Sequence, residues 1–380
     1  MTCNALYSIL QYYDVVEATL AVAFVVTTIP SNSLIFIPFP LIFHCFPLPL
    51  SLPQVTQWSD VMSHFSQTAN LLTIDLVGHG QSETPNDWES YTLESLVADI
   101  EVLATEFSSL IIKNDSAGLK DPPPPSQNSN TTTLLCQPTS AQPLTSSSSP
   151  RLPLTLPSIV LVSHSYGASL AVHLAPRLSP FVKALALISP STPTNPHIQS
   201  RVKFLSTPDF LLNFYRWWDR RGGLFSHSVN RYVNSSASTF IRSKQLYWNT
   251  SSQTPVVKRM IQGCRFPGAP AFTSLAMSRI PILLIGGQGD KVTPPQEMAV
   301  IHSWLTKSHE DLSKNPKTGK SIYPSPYLVP EAGHSIIVEC PELVIGILTK
   351  FLIERCGLET ISLQRQIQME TSQSSSDKWR

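Results

Sequence analysis

Three short stretches of this sequence hold residues that together could perform nucleophilic catalysis. In LVSHSYGASLAVHLA an apolar run leads straight into Ser163-His164-Ser165-Tyr166-Gly167 and then into a helical pattern. A small-x-Ser-x-Gly turn between strand and helix folds the backbone tightly and lifts a serine hydroxyl above a sheet edge, where it can attack an acyl carbonyl. The usual pattern begins with glycine; here Ser163 stands in that place and is small enough to keep the turn feasible. Alone, the motif is equally well read as an ordinary serine in a strand–helix connection. GGQGDKVTP then follows an apolar strand at Pro281 and sets Asp290 in the loop at its end. VPEAGHSIIVECPELV follows a last strand and sets His334 likewise. Asp290 alone reads as a loop cap and His334 alone as a surface histidine. Jointly, a nucleophile, a proton carrier and an orienting carboxylate are the parts acyl transfer needs.

The elements that must position these residues are legible around them. LLTIDL (Leu71 to Leu76), SIVLVS (Ser158 to Ser163), VKALALIS (Val182 to Ser189), PILLIGGQ (Pro281 to Gln288) and PYLVP (Pro326 to Pro330) read as strands. Tyr91 to Phe107 has apolar residues at helical spacing with acids near its start, and a helix is expected from Ser165 through Ala175. Pro341 to Cys356 starts on a first-turn proline and reads as a helix. Strands alternating with helices give an α/β fold with a mostly parallel sheet, in which sites form beyond the carboxyl ends of the strands. Three such ends carry Ser165, Asp290 and His334.

The chain of 380 residues, 42% hydrophobic and 14% charged, is ample for one large α/β domain or two small ones. Its net charge of +1 gives no pointer to nucleic acid. Six scattered cysteines show no zinc spacing, so neither a metal site nor a disulfide scaffold is expected, and no cofactor is implied. No basic region precedes the first apolar stretch, which argues against a secretory signal. Prolines at 30, 38, 40, 47, 49 and 53 break the uncharged run that could otherwise span a membrane. A cytoplasmic protein is the expectation, with a peripheral membrane or organelle location as the alternative. Residues 115–157 are more than half Ser, Thr or Pro and read as a disordered insert, and 358–380 as a polar tail.

With these motifs on the page, the chain resembles the α/β-hydrolase superfamily, in its single-domain abhydrolase group of serine hydrolases. DLVGHGQS (Asp75 to Ser82) resembles the family's D-x-x-G-x-G-x-S loop, SHSYGAS its nucleophile elbow, GGQGDKVTP its acid loop and AGHSIIVECPE its histidine loop. The resemblance covers roughly Trp58 to Cys356 without the Ser/Pro insert, inside a hydrolase domain of 55–357. It implies a sheet of α/β-hydrolase type with a helical cap, a Ser165–His334–Asp290 triad, and an oxyanion donor in the backbone N–H of Tyr166. A serine nucleophile argues against an epoxide hydrolase or dehalogenase, where the resemblance would imply Asp. His164 and His79 are read as packing residues.

The cap is expected at 192–279. TPDFLLNFYRWWDRRGGLF holds Phe210, Phe214, Tyr215, Trp217, Trp218 and Phe225, read mainly as a helix packing its apolar face onto the sheet, with some rings lining an acyl pocket. His197 to Arg265 carries eleven Lys/Arg against two Asp, while the rest of the chain carries sixteen basic and twenty-four acidic residues. A solvated helical face explains that; the sharper expectation is an anionic substrate or peripheral contact with an anionic lipid surface.

Residues 1–54 are atypical. SNSLIFI (31–37) resembles the family's early strand and Val55 to Gln67 the helix beyond it. Between them the resemblance implies a glycine-containing His-Gly loop that gives the second oxyanion donor. Instead PFPLIFHCFPLPLSLPQ stands there, and no glycine precedes Gly78. Of Pro38 to Pro53, thirteen of sixteen residues are Phe, Leu, Pro or Ser, all encodable by pyrimidine codons, and Gln54 can be CAG. That is what the 3′ end of an intron looks like, and the segment is read as a gene-model artefact; a divergent loop or an extended proline-rich interaction segment is the alternative.

The leading expectation is a serine hydrolase cleaving carboxylic esters of small molecules or acyl lipids. A catalytically impaired binding protein without the His-Gly loop is the second. An acyltransferase using the same triad is the third.

Overall fold

The computed structural model describes residues 21–27, 54–66, 69–80, 82–118, 158–195, 201–307 and 323–356. Six strands form one sheet: β1 (Ala21–Thr27), β2 (Asn70–Leu72), β3 (Ser158–His164), β4 (Val182–Ile188), β5 (Ile282–Gly287) and β6 (Tyr327–Val329), in the spatial order β2-β1-β3-β4-β5-β6. From β3 to β6 every pairing is parallel. β3, β4 and β5 are near-continuous Val, Ile, Leu and Ala, and apart from Lys183 and the edge residue Ser158 their side chains are buried. Strands read this way when both faces of a sheet are covered.

The covering helices are α1 (Ser59–Phe65), α2 (Leu93–Gly118), α3 (Tyr166–Leu174), α9 (Ala269–Met277), α10 (Pro295–Lys307) and α12 (Pro341–Cys356). α2, α3, α9 and α10 form one contiguous row, and α1 packs against α12. α12 follows the four-residue α11 (Ile336–Glu339) and begins at the proline that the sequence marks as its first turn. α2 starts after a short 3-10 turn at Glu89–Tyr91 and runs eleven residues past its expected end at Phe107. Residues 115–118, expected inside the Ser/Thr/Pro insert, are therefore its last turn; 119–157 and the tail from 357 lie outside the described residues.

β1 departs most from expectation. The early strand was expected at 31–37, which lies outside the described residues, as do 38–53. The strand beside β3 is Ala21–Thr27 instead, and it runs antiparallel to both neighbours. Ala21 stands opposite His164, and Thr27 opposite Ser158. The chain therefore leaves β1 at the edge of the sheet away from Ser165. Among the described residues, no helix is long and apolar enough to cross a membrane.

The DLVGHGQS loop shows why its glycines are there. Only Leu71 and Leu72 of the expected strand 71–76 join the ladder. Beyond them the chain turns over Asp75, whose carboxylate packs against Gly80. A Cβ on Gly80 would sit 2.0 Å from Asp75 Oδ2, and φ there is +53°. The Ser82 hydroxyl donates back to the Asp75 carbonyl, closing the loop. His79 is buried with its Nδ1 2.7 Å from the Val77 carbonyl, and burial lowers its pKa to about 4, so it stays neutral as a structural residue.

Between β4 and β5 the chain builds the cap from α4 (Arg201–Ser206), α5 (Asp209–Arg220), α6 (His227–Tyr232), α7 (Thr239–Ser251) and α8 (Thr254–Gly263). Ser226 and Ser238 cap α6 and α7 through their hydroxyls. A small separate core of Val229, Tyr232, Val233 and Val292 joins α6 to the loop after β5.

The aromatic helix faces the other way from its expected orientation. Phe210, Phe214, Trp217, Trp218 and Phe225 are all exposed rather than packed on the sheet. The inward face of α5 carries Leu212 and Arg216. The buried Arg216 guanidinium donates to the Asn249 carbonyl at 3.2 Å and the Ser252 carbonyl at 3.1 Å. It thereby satisfies acceptors at the C-terminal end of α7, which would otherwise lack partners. Arg242 likewise is buried and bonds the Ala237, Leu224, Asn234 and Ser235 carbonyls. The basic surplus of the cap is thus partly internal: Arg216, Arg231 and Arg242 are all buried.

Candidate active site

β3 ends at His164, and the chain turns into α3 through Ser165, whose backbone sits at φ 56°, ψ −126°. That region is strained for any residue with a Cβ, and such strain persists only where the surroundings impose it. Here the Ser165 N–H donates to the Ile188 carbonyl at 2.8 Å, and its own carbonyl accepts from Ala168 N–H at 3.0 Å. The turn is held on both sides, and the hydroxyl is presented at the carboxyl end of the sheet.

The three residues picked from the sequence meet there. His334 Nε2 lies 3.0 Å from Ser165 Oγ, and His334 Nδ1 lies 2.8 Å from Asp290 Oδ2. An ionised carboxylate only accepts, so Nδ1 carries the proton and Nε2 is the acceptor facing the serine hydroxyl. Thr293 Oγ1 also donates to Asp290 Oδ2 at 2.8 Å, and the backbone N–H groups of Val292 and Thr293 donate to Oδ1, each at 2.8 Å. Burial alone would raise the Asp290 carboxyl; the facing imidazole and the Thr293 bonds outweigh it and hold the pKa below the usual carboxylate value. All three side chains are buried, Ser165 at 2% exposure and His334 at 0%.

The loops that carry Asp290 and His334 need glycine because they touch. A Cβ on Gly287 would lie 2.2 Å from the Gly333 carbonyl oxygen and 2.4 Å from that of Ala332. The Gln288 N–H donates to Val329 and the Gly289 N–H to Ala332, each at 2.9 Å, so the acid loop and the histidine loop are laced together.

Tyr166 is the first residue of α3, so its N–H lies ahead of the first intrahelical bond. It follows Ser165 directly in the chain. Its side chain turns away and is buried against Phe266, with ring centroids 5.5 Å apart. The second donor, expected from the loop after the early strand, falls among residues outside the described ones.

Several residues that brace this site were missed or given a lesser role in the sequence. His164, read as packing, donates from Nε2 to the backbone carbonyl of His334 at 2.8 Å, and its ring centroid is 4.9 Å from that of His334. Glu339 accepts from Gly333 N–H at 3.0 Å and from Asn234 N–H at 2.6 Å, tying the histidine loop to the cap. Burial pushes the Glu339 pKa up to about 7, against the pull of those two bonds. Tyr232 accepts at its carbonyl from Ser335 N–H, and Ser335 Oγ donates to Gln245 on α7. The cap therefore grips the chain on both sides of His334. His164, Ser335 and Glu339 lay inside stretches that carried a family signal, but with no mark of these roles; the cap residues have no short-range pattern that marks them.

The chain matches the profile of the Alpha/beta hydrolase family over residues 41–347. An abhydrolase domain-containing protein of Schizosaccharomyces pombe is 27% identical to it over 199 residues, 51% of this chain and 49% of the relative. The chain thus spans about half the length of the curated relative it matches. Among solved structures, MenH from S. aureus aligns with a TM-score of 0.50 at 14% identity, over 79% of this chain and 89% of the other. A thermophilic esterase from Thermogutta terrifontis aligns with a TM-score of 0.49 at 18% identity, over 88% and 94%. At 14% identity the likeness to MenH is one of fold.

Proposed function

The chain belongs to the alpha/beta hydrolase family, and on that premise we propose that it is a serine hydrolase cleaving carboxylic esters, acyl lipids among them. The observation that carries the reading is the hydrogen-bonded line from Asp290 through His334 to Ser165, at 2.8 and 3.0 Å. Ser165 Oγ attacks the acyl carbonyl carbon as its proton passes to His334 Nε2. The tetrahedral oxyanion forms against the N–H of Tyr166. The bond to the leaving alcohol then breaks, and the alcohol takes the proton from His334. Water, deprotonated by the same imidazole, releases the acid and restores Ser165. Asp290 holds the imidazole in the tautomer that can accept and stabilises it once charged.

The test is turnover of chromogenic acyl esters of graded chain length beside matched thioester, amide and lysolipid-acceptor reactions. Ester hydrolysis outpacing the others supports the reading. Acyl transfer to the acceptor exceeding hydrolysis would replace it with the acyltransferase.

One observation favours a second reading, a binding protein of this fold with impaired catalysis. No glycine precedes Gly78, and β1 ends at Thr27, opposite Ser158 and at the end of β3 remote from Ser165. Loss of one oxyanion donor costs on the order of 3 kcal/mol in the transition state. A slow but measurable kcat with an intact triad is what this deficit predicts.

His164 acts through His334 as a positioning residue. His164→Phe keeps the ring volume and leaves the His334 carbonyl unpaired. It should lower kcat by about tenfold to a hundredfold with KM nearly unchanged, since small misplacements of a reacting group have effects of that size. His164→Gln, which restores a donor, should recover part of the loss. Equal kcat in the wild type and the phenylalanine variant would reduce His164 to packing.

A further inference from the structure

The outward face of the cap is apolar where a surface helix is normally polar. On α5, Phe210, Phe214 and Trp217 follow at i, i+4 and i+7, and with Trp218 they are 47% to 69% exposed. The rings contact one another, with centroids 5.7 Å apart for Phe214 and Trp217 and 6.4 Å for Trp217 and Trp218. They form a ridge rather than a groove, and the fold makes no use of it, because Leu212 and Arg216 anchor the helix from its other side. A contiguous aromatic surface left in water marks an interaction site.

Cations lie over exposed aromatic rings of the cap. The exposed Arg221 guanidinium lies 4.1 Å over the Trp217 ring, and Lys244 Nζ lies 4.6 Å over the exposed Phe240 ring on α7. Both acids of the 197–265 segment are engaged within the cap. Asp219 accepts from the His227 N–H at 2.9 Å and from the Ser228 hydroxyl at 2.5 Å, and Asp209 pairs with Lys258 at 2.6 Å. Asp209 stays half exposed at the start of α5, while Trp217 and Phe240 face outward with cations laid on them.

We propose that this ridge docks the protein on an anionic phospholipid surface. Trp217, Trp218 and Phe214 enter the boundary between headgroups and acyl chains, where amphipathic aromatic rings are favoured. Arg221 and Lys244 meet lipid phosphates and carboxylates. The inference deepens the hydrolase reading, since it places the cap at the source of an acyl-lipid substrate, and it rests on that reading for its purpose. The docking itself does not need Ser165.

The experiment is flotation of the full chain with phosphatidylcholine vesicles, with and without phosphatidylserine, beside hydrolysis of a water-soluble ester. The wild type should float with the anionic vesicles, and high salt should weaken this. The double variant Trp217→Ala/Trp218→Ala should bind both vesicle types at least about tenfold more weakly, from lost apolar burial. Arg221→Glu should lose binding to anionic vesicles alone. Soluble-ester turnover should be unchanged in both variants, because these side chains are exposed and outside the triad. A wild type that stays with the pellet, or a double variant that floats like it, overturns the proposal. So does a variant that changes sedimentation from dimer to monomer, which would assign the ridge to a second copy of the chain. Vesicle binding without ester turnover sinks the hydrolase reading and keeps the docking; turnover without binding does the reverse.

Discussion

Ser165→Ala should lower the proposed ester turnover by about 10⁴- to 10⁶-fold, the range in which a serine nucleophile acting as part of a unit is lost. The fold should not notice. Alanine keeps the Cβ that makes φ 56° costly, so the strain of the turn is the same in both proteins. The backbone bonds from Ser165 to Ile188 and Ala168 do not involve the side chain. Only the hydroxyl and its bond to His334 disappear. Steady-state kinetics with a chromogenic ester, beside a thermal unfolding curve, separates the two effects. A variant that retains turnover within tenfold of the wild type would move the chemistry to another residue.

Asp290→Asn should cost about 10³- to 10⁴-fold in kcat while leaving KM nearly unchanged. The carboxylate now accepts four hydrogen bonds, from His334, the Thr293 hydroxyl and the N–H groups of Val292 and Thr293. An amide in its place offers an NH₂ where two donors already point. If that group turns to His334, the imidazole must present a lone pair at Nδ1 and carry its proton on Nε2, facing Ser165. A ring in that tautomer cannot take the serine proton. The prediction is checked by kcat and KM at several pH values and by a cycle with Ser165→Ala. The double variant should be no slower than Ser165→Ala alone, because the carboxylate works only through the serine. A further loss in the double variant would mean that Asp290 does something besides orient His334.

The site was legible because its motifs are local and the fold rule that joins them is simple. SHSYGAS and GGQGDKVTP follow buried apolar strands and AGHSIIVECPE follows the short edge strand β6, and parallel strands deliver their ends to one edge. The three residues that meet in the structure, Ser165, His334 and Asp290, were thus picked out by three short patterns and their order. β3, β4, β5 and α12 were readable for the same reason: a strand buried on both faces is a plain apolar run, and a first-turn proline marks a helix start.

What stayed hidden depends on partners far along the chain. The spacing of Phe210, Phe214 and Trp217 defines one face of a helix but not whether that face looks in or out. The choice was made by Arg216, whose guanidinium finds the carbonyls of Asn249 and Ser252 some thirty residues on. A count of Lys and Arg in the cap could not tell such internal cations from surface ones such as Arg221. The brace from His164 to the His334 carbonyl spans 170 residues, and that of Glu339 to Asn234 spans 105. No periodicity records contacts at that separation. β1 was missed because its ladder is non-local on both sides, and the resemblance pointed to 31–37 instead.

The central claim is that Ser165 is an activated nucleophile. A fluorophosphonate probe reacts with such a serine and spares an ordinary hydroxyl, and peptide mass spectrometry of the labelled protein locates the adduct. The account predicts a single adduct on Ser165 in the folded wild type, absent from Ser165→Ala and from protein unfolded before labelling. A folded wild type that takes no label, or takes it on another residue, would contradict the account.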